Sequence, residues 1–165
     1  MPKLSHVDGK GKARMVDVGA KETTRRRAVA RGRLALSARA FRLLAENRLA
    51  KGDALAVARI AGIQAGKRAA EWIPLCHTVP LDHLAVEIAL DATAREAIVT
   101  TTAEARWTTG VEMEALVAAG AACLALYDMT KSADRGAAVR EIVLLEKSGG
   151  RSGAWRRGAS RRTLT

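Results

Sequence analysis

Leu84-Ala-Val-Glu-Ile-Ala-Leu90 is followed, after a short polar turn, by Ala97-Ile-Val-Thr-Thr-Thr-Ala-Glu-Ala-Arg-Trp107. In the first run Leu84, Val86, Ile88 and Leu90 share one parity, and the second run alternates in the same way. Period-two alternation joined by a tight turn predicts two antiparallel strands with one face turned to a core. Upstream, residues 24–36 fit another strand, with Ala28, Ala30 and Leu34 on one parity and Arg residues between them. Ser37 is an N-cap for a helix carrying Phe41, Leu43, Leu44 and Leu49, and Lys51-Gly52-Asp53 supplies a break and a second N-cap. The helix after it, about 54–70, is apolar on most sides, which predicts burial. Trp72-Ile-Pro-Leu-Cys-His77 leaves the helix as a loop, because Pro74 disfavours helix for the residue before it.

Downstream, a further helix is predicted from about Val111 to Lys131, and a last strand over Val139–Leu145 leads into Lys147-Ser-Gly-Gly150. The order strand, helices, two paired strands, helix, strand predicts an α+β domain, a ferredoxin-like sandwich with an antiparallel sheet and helices packed on one face. Residues 1–20 read as an extended N-terminal arm broken by Gly9, Gly11 and Gly19; 21–150 read as a single α+β domain; 151–165 read as a basic, disordered tail.

Composition narrows the function classes. The 165 residues carry 28 Lys plus Arg against 17 Asp plus Glu, a formal net charge of +11, with 48% hydrophobic residues and only 3% aromatic. Such a positive excess points first to a polyanion. Counted by segment, 21–42 is net +7, 151–165 is net +5, and 43–150 is net −3. The centre is slightly acidic and the basicity sits on its flanks. A nucleic-acid module is disfavoured, because no binding motif is present and aromatics do not interleave with the basic runs. The N-terminus has no apolar signal region, and the run Ala115–Tyr127 is shorter than the roughly 20 residues of a membrane helix. No membrane partner is therefore expected. Two cysteines, Cys76 and Cys123, make no disulfide framework, so the expected setting is the cytoplasm.

Several residues have chemical potential. Lys51, Arg59, Lys67 and Arg68 lie on or beside one apolar helix, where a cation needs an anion: Glu46, Glu71 or a partner chain's carboxylate, or else a bound phosphate or carboxylate ligand. Gly62-Ile-Gln-Ala-Gly66-Lys67 is not a phosphate loop, having three residues between its glycines and no Ser/Thr after the Lys. Cys76-His77 with His83 lacks zinc-ligand spacing, so no metal site is expected; His77 is an acid/base or phosphate-contacting residue, or a hydrogen-bonded loop His. Thr109 and Glu112 fit a capping box. Glu114 enters a helix whose next thirteen residues carry no charge, and Asp128 sits where the helix dipole disfavours it, with Lys131 three residues on. Either Lys131 merely neutralises Asp128, or the two form a tuned acid/base pair. Glu114 and Asp128 are about 40° apart in rotation and about 21 Å apart along the axis. One small ligand cannot bridge that distance, so if both serve one site, they come from different subunits.

At this point the sequence resembles a known family. Met15-Val-Asp-Val18, Lys51-Gly-Asp53, Ala58-Arg-Ile-Ala-Gly-Ile-Gln-Ala65, Ile73-Pro-Leu-Cys-His77, Thr109-Gly-Val-Glu-Met-Glu-Ala-Leu116, Tyr127-Asp-Met129 with Lys131, and Lys147-Ser-Gly-Gly150 together resemble the MoaC family, the cyclic pyranopterin monophosphate synthases of molybdenum cofactor biosynthesis. The likeness covers about residues 4–153. It implies a lyase that converts (8S)-3′,8-cyclo-7,8-dihydroguanosine 5′-triphosphate to cyclic pyranopterin monophosphate and releases pyrophosphate. It also implies a homohexamer, a trimer of dimers with intersubunit active sites. On this resemblance Asp128 and Lys131 are the catalytic acid/base pair, with Lys51 and His77 beside them. Cys76, Glu112, Met113, Glu114 and Lys147 are further site positions, and Arg26 and Lys67 meet the triphosphate. No cofactor is required, and a divalent cation accompanying the triphosphate is left open.

Three positions depart from the family pattern. Thr78 stands where Pro usually follows Cys-His, Thr108 where a basic residue is usual, and Arg151 where Lys is usual. None removes a proposed catalytic group.

Overall fold

The computed structural model describes residue 12 and residues 15–158. Most of the expected arm 1–20, and residues 159–165 of the expected tail, lie outside the described residues.

Among the described residues five strands form one antiparallel sheet. They are β1 (Thr24–Ala35), β2 (His83–Asp91), β3 (Glu96–Trp107), β4 (Ala138–Ser148) and β5 (Trp155–Arg156), in the spatial order β2-β3-β1-β4-β5. The two alternating runs of the sequence are the β2–β3 pair, in register from His83 opposite Glu104 to Asp91 opposite Glu96. The helices are α1 (Ala38–Ala45), α2 (Ala54–Gly66), the single turn α3 (Ala69–Trp72) and α4 (Glu112–Thr130). The result is an α+β fold in which α4 packs on β1, β3 and β4, while α2 packs on α4 and β2.

The core is built mostly from small aliphatic residues, as the low aromatic content requires. Ala28, Ala30 and Leu34 of β1 are fully buried, and so are Val99, Ala118, Ala122, Cys123 and Leu126. Small side chains permit close backbone approach, and two glycines mark where it occurs. A Cβ on Gly32, at the same parity as Ala30 and Leu34, would sit 3.2 Å from the Ala119 carbonyl oxygen of α4. One on Gly62 of α2 would sit 2.9 Å from the Ala118 carbonyl oxygen. α4 is thus wedged between sheet and helix, with 11 of its 19 residues buried. By length and composition it is apolar enough to cross a membrane, but its apolarity follows from this packing.

The opposite parity of β1 explains much of the basic flank. Arg25 pairs with Glu104 at 2.9 Å, Arg31 with Glu141 at 2.7 Å and Arg33 with Glu96 at 2.6 Å. Arg27 pairs with Glu104 and Glu146. These cross-strand pairs neutralise the net positive segment on the open face of the sheet. Each is partly exposed and contributes little alone, about 0.2–1 kcal/mol.

Four expectations are corrected. The helix over 54–70 is broken at Lys67-Arg68, where the Arg68 N–H bonds back only three residues, to the Ala65 carbonyl. α1 ends at Ala45, so Leu49 enters the core from a loop. The Thr109–Glu112 capping box does not form: Val111 occupies the N-cap, and among the described residues no side chain caps the helix and the buried Thr109 hydroxyl has no partner. Finally, β4 runs on to Ser148, and Trp155–Arg156 return as β5 opposite Lys147 and Glu146. The expected disorder of 151–165 therefore does not hold at its first residues, because their backbone completes an edge strand.

Candidate active site

Arg26 is the one arginine of β1 whose parity matches Ala28 and Ala30, so its side chain turns toward the α4 side of the sheet. Its guanidinium donates to the carbonyls of Trp107 (3.2 Å) and Thr108 (3.1 Å). Gly150 lies against it at φ +70°, and a Cβ there would collide with the guanidinium. Only glycine meets both demands cheaply. Beside it, Glu112 opens α4, favoured there by the helix dipole, and pairs with Lys147 at 3.0 Å. This pairing across 35 residues of sequence takes the carboxylate that a capping box would have used. Gly110 leaves room for it, since a Cβ there would strike the Glu112 carboxylate.

These side chains line a cavity of about 990 Å³ together with His77, Lys21, Glu22, Thr108, Thr109, Arg151 and Ser152. Val16 and Val18 supply a further wall. The His77 Nε2 lies 2.8 Å from the Val16 carbonyl oxygen. A carbonyl only accepts, so Nε2 carries a proton in this contact. Among the described residues four cations, Lys21, Arg26, Lys147 and Arg151, face two carboxylates, Glu22 and Glu112. The cavity has the size of a small-ligand site and an excess of positive charge.

Two residues beyond Glu112, Glu114 is 3% exposed, and among the described residues its Oε2 has no partner. Burial pushes its carboxyl up to about 7, although its own backbone N–H bond opposes the shift. The Cys76 Sγ lies 4.0 Å from Glu114 Oε1, and burial followed by the Glu114 charge raises the thiol. Cys76 is therefore held as a thiol and is a poor nucleophile. Lys67 lines a second, small cavity of about 50 Å³ together with Glu114, and Arg26 does not line it. Met113 packs against the cluster of Ala65, Ala69, Val117 and Ala121.

A second centre lies at the far end of α4. Asp128 receives the Lys131 ammonium at 2.6 Å on one oxygen and the Lys51 ammonium at 2.6 Å on the other. The Lys131 bond, then that of Lys51, lowers the Asp128 carboxyl to about 2, and Asp128 in turn raises Lys131. The triad is solvent-accessible. Glu112 and Asp128 are sixteen residues apart on one straight helix, about 24 Å along the axis.

The structure thus brings Arg26, His77, Glu112 and Lys147 together, with Cys76 and Glu114 close to His77 and Glu112 in sequence. It gathers Lys51, Asp128 and Lys131 elsewhere, and it leaves Lys67 and Met113 outside both groups. Reasoning from sequence missed Lys21 and Ser152 as cavity residues. Lys21 follows the Met15–Val18 block, but nothing in its own spacing marks it; Ser152 needs the turn geometry described below.

Fold and cavity define a class: an α+β protein with a cation-rich pocket at a helix N-terminus, suited to a small polyanion. The chain belongs to the MoaC family, whose model matches residues 15–150. It is 51% identical to a protein of Thermomicrobium roseum named cyclic pyranopterin monophosphate synthase, over 95% of both chains. It is 46% identical to a Bordetella avium protein of the same name, over 94% of this chain and 96% of that one. A bovine protein, molybdenum cofactor biosynthesis protein 1, is 51% identical over 93% of this chain, which spans 24% of the bovine length.

Proposed function

We propose that this chain is a cyclic pyranopterin monophosphate synthase, a lyase acting early in molybdenum cofactor biosynthesis. Its substrate is 3′,8-cyclo-7,8-dihydroguanosine 5′-triphosphate and its products are cyclic pyranopterin monophosphate and pyrophosphate. The observation that carries this reading is the 51% identity to a protein of that name along 95% of both chains. The cavity supports it chemically. Lys21, Arg26, Lys147 and Arg151 supply positive charge for a triphosphate. An intramolecular hydroxyl attack on the α-phosphorus forms the cyclic phosphate as the bond to the β-phosphate oxygen breaks. Cations held in place beforehand stabilise the pyrophosphate that departs and orient the attack.

Proton transfers during opening and rebuilding of the purine ring are assigned to Asp128 and Lys131, with Lys51 beside them and His77 supplied from the cavity. With its carboxyl lowered to about 2, Asp128 is a carboxylate at neutral pH, so in the free protein Lys131 is the proton donor of the pair. Because about 24 Å of helix separates this triad from Glu112, one chain does not complete the site. The reading therefore includes a homohexamer, a trimer of dimers in which the triad of one subunit meets the cavity of another. It includes a cytoplasmic location and no obligatory cofactor, with any divalent cation travelling on the triphosphate.

The test is to incubate purified protein with the cyclic guanosine triphosphate and follow products by mass spectrometry. Equimolar pyrophosphate and cyclic pyranopterin monophosphate are expected; unconsumed substrate refutes the reading.

A further inference from the structure

Among the described residues the Lys147 ammonium has two partners of different origin. One is Glu112 at 3.0 Å, on α4. The other is the hydroxyl of Ser152, which accepts from Lys147 Nζ at 2.9 Å. An ammonium has three N–H donors, so one is left for an anion in the cavity. Glu112 alone would hold a flexible four-carbon side chain by a single contact; a second fixed acceptor on another element defines its position.

Ser152 reaches Lys147 because the chain doubles back. Gly149, Gly150 and Gly153 all lie at positive φ, and the Gly153 N–H donates to the Gly150 carbonyl at 3.1 Å. Such a turn is costly to order unless something beyond it closes the loop. β5 does so. Trp155 stands opposite Lys147 in the register. Arg157 donates its backbone N–H to the Leu145 carbonyl at 2.7 Å and its Nε to the Leu144 carbonyl at 2.8 Å. Arg157 also lies 5.9 Å from the Trp155 ring centroid, within cation–π range. The last residues of the chain's described part thus form a strap that fixes the rim of the cavity, although they contribute no side chain to its lining.

We propose that Ser152 is a positioning residue that holds the Lys147 ammonium in the anion-binding cavity, and that the strand Trp155–Arg156 with Arg157 sets Ser152 in place. The proposal rests on the reading of Lys147 as a substrate contact. Its mark is on substrate binding rather than on chemistry, because Ser152 touches neither the Asp128 triad nor any acid/base group of the cavity.

The test compares the full-length protein with Ser152→Ala, Ser152→Thr and a chain ending at Gly153, using the cyclic guanosine triphosphate as substrate. Ser152→Ala and the shortened chain are expected to raise KM about tenfold while kcat stays within about twofold, the pattern of a lost uniform binding contact. Ser152→Thr restores the hydroxyl and is expected to keep the original KM. An unchanged KM in Ser152→Ala, or an equal defect in Ser152→Thr, overturns the role of the hydroxyl. An unchanged KM in the shortened chain overturns the role of the strap. A second readout needs no substrate: limiting acylation by an N-hydroxysuccinimide ester, followed by peptide mass spectrometry. Lys147 is expected to react severalfold faster in Ser152→Ala than in the original protein, with other lysines unchanged; equal reactivity contradicts the proposal. If the original protein turns over no substrate, the functional reading fails, and acylation still decides this inference.

Discussion

The Lys51 ammonium donates both to the Asp128 carboxylate at 2.6 Å and to the Asp128 backbone carbonyl at 2.9 Å, joining the segment before α2 to the last turn of α4. This resolves the electrostatic oddity of an aspartate at a helix C-terminus. The local dipole repels it, yet two ammoniums and a satisfied carbonyl hold it there.

Asp128→Asn should therefore separate stability from activity. The triad is exposed, and exposed ion pairs contribute little to folding. The melting temperature is expected to shift by a few degrees at most, while turnover falls by about 100-fold or more, as for loss of an acid/base partner. A lowered carboxyl contributes stability above its ordinary range and loses it only as pH falls toward about 2. Titration of Asp128 is thus not expected to shape the pH–rate profile between pH 5 and 9. Calorimetry and product analysis of the variant check both halves.

Glu114 behaves in the opposite sense. Its folded carboxyl titrates near 7, above the ordinary 4.5, so the native state binds the extra proton between those values. Stability should fall as pH rises from about 4.5 to about 7 and then level off. Glu114→Gln removes the titration and should flatten that segment of the curve, with a gain at pH 8 of up to about 3 kcal/mol. Urea unfolding at a series of pH values measures it. Parallel curves for the two proteins would show that the buried carboxyl is not protonated in this window.

Gly150→Ala places a Cβ against the Arg26 guanidinium at a backbone conformation that L-residues avoid. The left-handed conformation costs about 1–2 kcal/mol, and Arg26 must also move. A lower melting temperature together with a raised KM is expected. A variant with a normal KM would show that Arg26 does not meet the substrate.

Much of the fold was legible because its signals are local. The parity of Leu84–Leu90 gave the β2–β3 pair, and the Asp53 cap gave the start of α2, where its Oδ1 accepts from the Ala56 N–H at 2.9 Å. The sequence spacing of Glu114 and Asp128 already separated the two ends of α4. What was not legible depends on distant partners. Glu112 looks like a capping residue until Lys147 is seen beside it. The basic stretch Arg25–Arg33 looks like a polyanion surface until Glu96, Glu104, Glu141 and Glu146 are placed across it. Trp155 to Arg157 look like a loose tail because the strand they join, β4, precedes them by a glycine-rich turn with no periodic pattern. Met113 sits in the same motif as Glu112 and Glu114, yet helical rotation turns it into the apolar cluster at α2 and α3.

The central claim is that each active site takes its Asp128 triad from one chain and its cavity from another. Co-expressing Lys147→Ala and Asp128→Ala chains with different tags, and purifying hybrids through both, tests it directly. With substrate well below the original KM, each variant alone should release almost no pyrophosphate, Lys147→Ala through lost binding and Asp128→Ala through lost chemistry. In random hybrids about a quarter of the sites combine an intact Lys147 with an intact Asp128, so about a quarter of the normal pyrophosphate release is expected. Hybrids as inactive as the parents would contradict a shared site.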